Sequence, residues 1–166
     1  MLASKGPSAA AKVLRTTTVV APRTSSSPPL LWTSDVSLGV STPGYPLDAY
    51  PLDALPIKRQ FPCSACIILF GPNPNFVFDT SYGVAVWRGH DEPSESDCGR
   101  ALNASQDYHV TLQQSSREPT RTGEVNVGGW LCAFSNENNL LRLRYEGASA
   151  GGRYVNFRVT AWGLDK

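Results

Sequence analysis

The sequence predicts an all-β protein, either an antiparallel sandwich or a small barrel of about seven or eight short strands, behind a disordered or extended arm. Short apolar or alternating segments recur from Ile57 onward and are separated by turn residues. Residues 1–56 hold eight of the thirteen prolines, and proline at that spacing interrupts helices and sheet ladders. The four cysteines are an even number in a small chain, which favours disulfide bonds.

The two parts of the chain differ in composition, and the predicted boundary lies between an arm over residues 1–56 and a β domain over residues 57–166. The first 34 residues carry four basic side chains and no acidic one. Such a leader resembles an organelle transit peptide, although a flexible linker is the simpler interpretation. A net charge of +1 gives no field that would attract nucleic acid. The apolar runs are too short for a membrane-spanning helix.

The first half of the predicted domain contains short strand-like segments joined by polar loops. Gly71-Pro-Asn-Pro-Asn75 has strong turn chemistry and separates the first two segments. A helical turn is predicted around Cys98–Leu102, inside a polar stretch. The predicted strands of this half are Cys66–Phe70, Phe76–Asp79, Val84–Trp87, Tyr108–Leu112 and Glu124–Val127.

The last 37 residues predict three consecutive antiparallel strands, Trp130–Phe134, Leu140–Tyr145 and Arg153–Trp162. Apolar and polar side chains alternate in the last two, as expected when one sheet face is buried and the other is solvated. The predicted inward residues are Leu141, Leu143, Tyr145, Val155, Phe157, Val159 and Ala161. The predicted outward residues are Arg142, Arg144, Tyr154, Asn156, Arg158 and Thr160.

The positions of two of the cysteines favour one particular disulfide. Cys132 shares a strand face with Trp130 and Phe134, and Cys98 precedes a small apolar stretch that could lie against that strand. A Cys98–Cys132 bond is therefore favoured, and it would contribute about 3–4 kcal/mol in the chain-entropy model.

Cys63 and Cys66 form a lone Cys-x-x-Cys motif with three open interpretations: a second disulfide, half of a metal site, or free thiols. A four-cysteine zinc site would normally use a second closely spaced pair, which Cys98 and Cys132 are not. A thioredoxin-like redox role requires a following helix, whereas a β-like run follows here.

The remaining chemical groups form no recognisable catalytic motif, and neither a metal nor another cofactor is predicted. His90 is interpreted as a solvated loop residue and His109 as an exposed strand residue. Asp91, Glu92, Glu95 and Asp97 form an acidic cluster whose spacing fits no standard calcium loop. An aromatic binding surface could form from Trp87, Trp130, Tyr154 and Trp162, although most tryptophans of small β domains pack in the core.

The segment from Val127 to Asn139, followed by Leu140–Tyr145 and Asn156–Trp162, resembles a family of actinobacterial domains. These domains follow membrane serine/threonine kinases or occur in secreted and anchored proteins. They share a glycine before an apolar-Cys strand, a Thr/Ser-x-Glu turn, an apolar-Arg strand and a closing Val-Thr-x-Trp strand. Phe78-Asp-Thr80, Val84–Trp87 and Cys98-Gly-Arg-Ala-Leu102 extend the resemblance over residues 76–166.

The resemblance implies an extracytoplasmic β-sandwich that has a Cys98–Cys132 bond and no catalytic residues. The Cys-x-x-Cys motif and Ala161, in place of a more usual valine, depart from the family pattern. No kinase or anchor precedes the domain in this sequence.

The predicted function is a non-catalytic binding, sensing or accessory module of the extracellular space or cell envelope, with a protein or a cell-surface glycan as partner. One alternative is a structural subunit whose N-terminal arm wraps neighbouring chains. A second is a carbohydrate-active enzyme, which would need two carboxylates facing a cleft.

Overall fold

The computed structural model describes residues 27–41, 49–58, 66–71, 75–105, 107–114 and 124–164. These residues form ten strands and one helix. The strands are β1 (Leu30–Gly39), β2 (Ala49–Tyr50), β3 (Ile67–Phe70), β4 (Phe76–Asp79), β5 (Val84–Trp87), β6 (His109–Leu112), β7 (Glu124–Val125), β8 (Trp130–Phe134), β9 (Leu140–Ala148) and β10 (Tyr154–Trp162), and the helix is α1 (Glu95–Ala104).

The strands are arranged in two five-stranded sheets, which confirms the predicted all-β class. The first sheet has the order β1-β10-β9-β8-β5, and the second has the order β2-β3-β4-β6-β7. Pairing is antiparallel in both sheets except between β6 and β7, which run parallel. The longest strands, β1, β9 and β10, lie side by side in the first sheet, whereas the second sheet is built from strands of two to four residues.

One apolar core lies between the inner faces of the two sheets. Phe78 of the second sheet meets Phe157 of the first in an edge-to-face contact, with ring centroids 5.8 Å apart. The Tyr145 ring also contacts Phe157, with ring centroids 5.9 Å apart. The seven residues predicted to point inward from β9 and β10 are all fully buried in this core. Because both sheets contribute to one core, the architecture is a sandwich.

The three C-terminal strands are confirmed, with β9 continuing three residues beyond the predicted end at Tyr145. The predicted helical turn around Cys98–Leu102 lies inside the longer helix α1. Its first turn is fixed by a capping box, in which the Ser94 side chain accepts from the Asp97 backbone N–H and the Asp97 side chain accepts from the Ser94 backbone N–H.

The predicted boundary at residue 56 is too late, because β1 and β2 precede it and belong to the sandwich. β1 pairs with β10 from Leu30 opposite Trp162 to Gly39 opposite Tyr154. Leu38 and Leu52 are fully buried in the core. The Gly39 N–H donates to the hydroxyl of Tyr50 at 2.9 Å, tying the end of β1 to β2. These strands were not predicted because the segment is rich in proline and the strands have only a few inward-facing apolar residues.

Candidate functional site

The outer face of the first sheet is partly covered by α1, which packs against β5, β8 and β9. A second, smaller apolar cluster fills this contact, and its buried members are Ala85, Cys98, Leu102, Cys132 and Leu140. The predicted disulfide is present between Cys98 of α1 and Cys132 of β8, with a Cα–Cα distance of 5.2 Å. The helix is therefore attached covalently to the sheet.

The N-terminal turn of α1 carries a local network of polar groups. The Asp97 carboxylate accepts hydrogen bonds from the Ser94 hydroxyl and backbone N–H, at 2.7 and 2.9 Å, and forms an ion pair with Arg100. These interactions, led by the two hydrogen bonds from Ser94, lower the pKa of Asp97 below its ordinary value. Asp97, a member of the predicted acidic cluster, thus serves in the capping box of α1.

Beside α1, four side chains on the outer face form an alternating stack, which we call the Trp–Arg ladder: Trp162, Arg142, Trp130 and Arg144. The Arg142 guanidinium lies 5.1 Å from the Trp162 ring centroid and 5.4 Å from that of Trp130. The Arg144 guanidinium lies 5.6 Å from the Trp130 centroid. These distances are typical of cation–π contacts. Two cations therefore engage the Trp130 ring.

Arg142 holds the loop before α1 onto the sheet. Its guanidinium donates to the backbone carbonyl of the buried Pro93 at 2.8 Å and to the Thr160 hydroxyl at 3.2 Å, and it forms an ion pair with Glu92. Its side chain is only 17% exposed. Burial lowers the pKa of Arg142, and the nearby Glu92 carboxylate opposes that shift. These contacts make Arg142 an anchor within the fold.

Arg144 has a different environment, because it lies at the exposed end of the ladder. Within the described part of the chain it forms no ion pair and no hydrogen bond through its side chain, and its contact is the Trp130 ring. Arg158, its cross-strand neighbour on β10, is instead bonded to Asp35 at 3.0 Å, and Glu146 lies at 4.0 Å. The hydrogen bond and charge of Asp35, with Glu146, raise the pKa of Arg158. Arg144 thus offers its donors to solvent.

The predicted aromatic surface is assembled only in part. Trp87, at the end of β5, lies directly opposite Trp130 of β8 in the sheet register. Its indole N–H donates to the Asp91 carbonyl at 2.9 Å. Gly89 lies so close that an added Cβ would be 2.4 Å from the ring. Tyr154 is exposed but lies at the far end of β10, opposite Gly39, so it does not join the three tryptophans.

A separate cavity of about 290 Å³ opens at one end of the sandwich. It lies beside the β9–β10 turn and is lined by Gln114, Val127, Tyr145, Ala148, Ser149, Gly151 and Gly152. The Tyr145 hydroxyl is buried and has no hydrogen-bond partner among the described residues. Burial raises the pKa of Tyr145. Sequence patterning identified Tyr145 as inward-facing, but gave no signal for this cavity.

The other predicted site residues are scattered. His90 is exposed in the loop before α1. His109 is exposed on β6, with Nδ1 3.8 Å from an Asp79 carboxylate oxygen. Cys66 is disulfide-bonded, and Cys63 lies outside the described residues. Within the described ranges no group of three or more His, Cys, Asp or Glu residues could hold a metal ion.

No protein-family model, curated protein or solved structure matches this chain. The resemblance to the actinobacterial domains therefore stays a prediction from the sequence. Among the described residues, none of the helices has the length and apolar character needed to cross a membrane.

Proposed function

We propose that this chain is a non-catalytic binding module of an extracytoplasmic protein, and that it recognises an acidic segment of a partner protein through Arg144. The observation that carries the proposal is the contrast within the Trp–Arg ladder. Arg142 is mostly buried and bonded through its guanidinium to Pro93, Thr160 and Glu92. Arg144 is instead exposed, held over Trp130, and not paired with an acid of the described chain.

The ladder gives Arg144 the properties of a recognition residue. A guanidinium presents a planar set of donors that matches a carboxylate in two-point geometry. Its contact with Trp130 restrains the side chain before binding, which reduces the entropy lost on association. Trp130 is in turn fixed by Arg142, which is bonded to the loop before α1. The proposed binding site for a carboxylate therefore rests on β8, on β9 and on the loop that Arg142 bonds.

A protein partner suits this surface better than a sugar ring. Tryptophan and arginine are the residue types most enriched in the energetic centres of protein interfaces. The Trp130 ring is already engaged by two guanidinium groups, and Trp87 is packed against Gly89. Stacking of a sugar on Trp130 would have to compete with these contacts. The group that the ladder exposes to a partner is the positively charged guanidinium of Arg144.

The extracytoplasmic setting is supported by the cysteines and by the sequence resemblance. Cys98 and Cys132 are bonded, Cys66 is disulfide-bonded, and disulfides persist mainly in oxidising compartments. The assembly alternative receives less support. Residues 30–39 and 49–50, which fall in the predicted arm, pair with strands of the same chain and are therefore not available to wrap a neighbour.

The proposal is tested with short peptides that carry Asp or Glu, compared with matched peptides that carry Asn or Gln. Indole N–H resonances are followed by NMR during titration. We expect the acidic peptides to shift the Trp130 indole signal and the amides of β9, while the Trp32 indole, whose N–H donates to the Asp53 carbonyl, stays unchanged. Equal shifts with both peptide sets, or none with either, would refute recognition of an acidic segment.

A further inference from the structure

We propose that two copies of this chain associate through the outer edge of β1, so that their first sheets join into one continuous sheet. β1 is the end strand of the first sheet, and β10 pairs with it along one edge only. It has ten residues, whereas β5 at the opposite end of the sheet has four. Because this edge lies two strands away from β9, the dimer does not depend on the function proposed for Arg144.

The hydrogen bonds of β1 show which of its backbone groups face the outer edge. The Val40 N–H donates to the Arg153 carbonyl at 2.9 Å, one residue beyond the pair of Gly39 with Tyr154. Bonded and non-bonded pairs alternate in an antiparallel ladder. The odd-numbered residues of β1 from residue 33 onward therefore direct their N–H and C=O groups away from β10. The Gly39 N–H agrees with this assignment, since it donates to the Tyr50 hydroxyl.

Three residues, Thr33, Asp35 and Ser37, thus present backbone groups at this edge. Their side chains bond to residues of β10 on the outer face, at distances of 2.6 to 3.2 Å, so they do not fold over the edge. Within the described ranges, no backbone group of another segment bonds to the edge at these three residues. Natural edge strands are commonly shielded by proline or lysine, and β1 contains neither. The edge is therefore a template for another strand.

The residues of β1 select one antiparallel register for a second copy. When the two strands are centred on Ser34, Thr33 of each copy exchanges backbone hydrogen bonds with Asp35 of the other. Centring the pair on Asp35 would place two carboxylates directly opposite each other, which is unfavourable. Centring it on Val36 would bring Thr33 of the second copy to Gly39, where the Tyr50 hydroxyl already occupies the edge.

The register centred on Ser34 also matches apolar side chains on the inner face. It places Trp32 of each copy opposite Val36 of the other, and both residues are only partly buried at the margin of the core in the single chain. An aromatic side chain opposite a β-branched one is a favourable cross-strand pair. The same surface is used by both copies, as a two-fold dimer requires. A second copy of this chain is therefore the partner that fits the edge.

The association is measured by sedimentation equilibrium of the full chain from about 5 to about 200 µM. We expect a reversible dimer of two 18.0 kDa chains. Thr33→Pro removes an N–H that bonds to the second copy and not to β10, and proline is tolerated on edge strands. It should raise the dissociation constant at least about tenfold. Thr33→Val keeps this N–H and should dimerise like wild type.

A cysteine at the two-fold axis tests the register and does not require Thr33→Pro to fold. The two Ser34 residues form a non-bonded pair with Cα atoms about 4.5 Å apart, within the range of a disulfide. The described residues include no free cysteine that would compete. Mild oxidation should therefore convert Ser34→Cys into a covalent dimer. Ser37→Cys is the control, because the two copies of that residue are about 20 Å apart along the strands.

Three results would each overturn the dimer. The first is a wild-type chain that stays monomeric over the whole concentration range, which would leave the edge to a different partner. The second is a Thr33→Pro variant that associates as tightly as wild type. The third is a Ser34→Cys variant that forms no more covalent dimer than Ser37→Cys.

Discussion

The two faces of the first sheet are built on different principles. The inner face of β8, β9 and β10 is almost entirely apolar and is sealed against the second sheet. The outer face of the same strands carries a covalently attached helix, a small apolar cluster and the Trp–Arg ladder. Each strand therefore serves two environments through alternate residues. Stability is concentrated on the inner face, and the chemistry available to a partner is concentrated on the outer one.

The difference shows where a substitution should affect folding and where it should affect recognition. On the inner face a lost side chain leaves a cavity between two sheets that cannot both move to fill it. On the outer face, side chains beyond α1 end in solvent and are held by contacts that are individually weak. Variants on neighbouring positions of one strand can therefore separate the two roles.

The largest effect is expected from Phe157→Ala on the inner face. Phe157 is fully buried and contacts the rings of Phe78 and Tyr145, so its truncation should lower the free energy of unfolding by about 3–5 kcal/mol. Urea denaturation followed by tryptophan fluorescence measures the change. Arg158→Ala, the next residue on the outer face, should lose far less stability, because its ion pairs are solvent-exposed. Similar losses in the two variants would show that the faces do not differ.

The next largest effect is expected from replacing both cysteines of the helix–sheet bond, Cys98→Ala with Cys132→Ala. The bond closes a sequence separation of 34 residues, so its removal should lower stability by about 3–4 kcal/mol. The Asn103→Gln variant, an exposed change on the same helix, is the matched control. A double variant as stable as wild type would mean that α1 is held by packing alone.

A smaller and more selective effect is expected along the ladder. Arg142→Ala leaves the carbonyl of the buried Pro93 without its side-chain donor and removes the contacts with Thr160 and Glu92, so it should cost about 1–3 kcal/mol. Arg144→Ala loses mainly an exposed cation–π contact, worth about 0.5–1 kcal/mol. Denaturation curves measure the stability lost in each variant. A larger loss in Arg144→Ala than in Arg142→Ala would contradict the assignment of Arg142 as the anchor and Arg144 as the recognition residue.

The smallest effect concerns pH and the start of α1. Because the pKa of Asp97 is lowered in the folded protein, its ionisation stabilises the fold above the ordinary pKa, and this contribution is lost as the pH falls through the folded-state value. The gap in stability between wild type and Asp97→Asn should therefore be largest above about pH 5 and close on acidification. Glu95→Gln, in the same turn, serves as control. A gap that does not depend on pH would exclude this linkage.

Much of the fold could be predicted because it depends on local patterns. The alternation of Leu141, Leu143 and Tyr145 with the intervening arginines predicted both faces of β9 correctly. β1 was missed because prolines precede it and only a few of its residues, such as Leu38, reach the core. Its strand character comes from a long-range pairing with β10, which local composition does not encode.

The candidate sites were less predictable, because they depend on register. Trp130, Trp162 and the two arginines could each be placed on an outer face, but their stacking requires β8, β9 and β10 to pair with one particular offset. That offset includes a shift between Asn156 and Phe157. The cavity at Tyr145 depends on the meeting of loops that are far apart in sequence. Neither arrangement can therefore be predicted from the residue pattern of a single segment.

The most direct measurement is the affinity of an acidic peptide for three proteins: wild type, Arg144→Gln and Arg153→Gln. Arg153 is exposed in the β9–β10 turn, away from the ladder, so its variant controls for the loss of one positive charge. Recognition through Arg144 predicts that Arg144→Gln binds at least about tenfold more weakly, while Arg153→Gln stays close to wild type. Equal losses in the two variants, or no loss in Arg144→Gln, would contradict it.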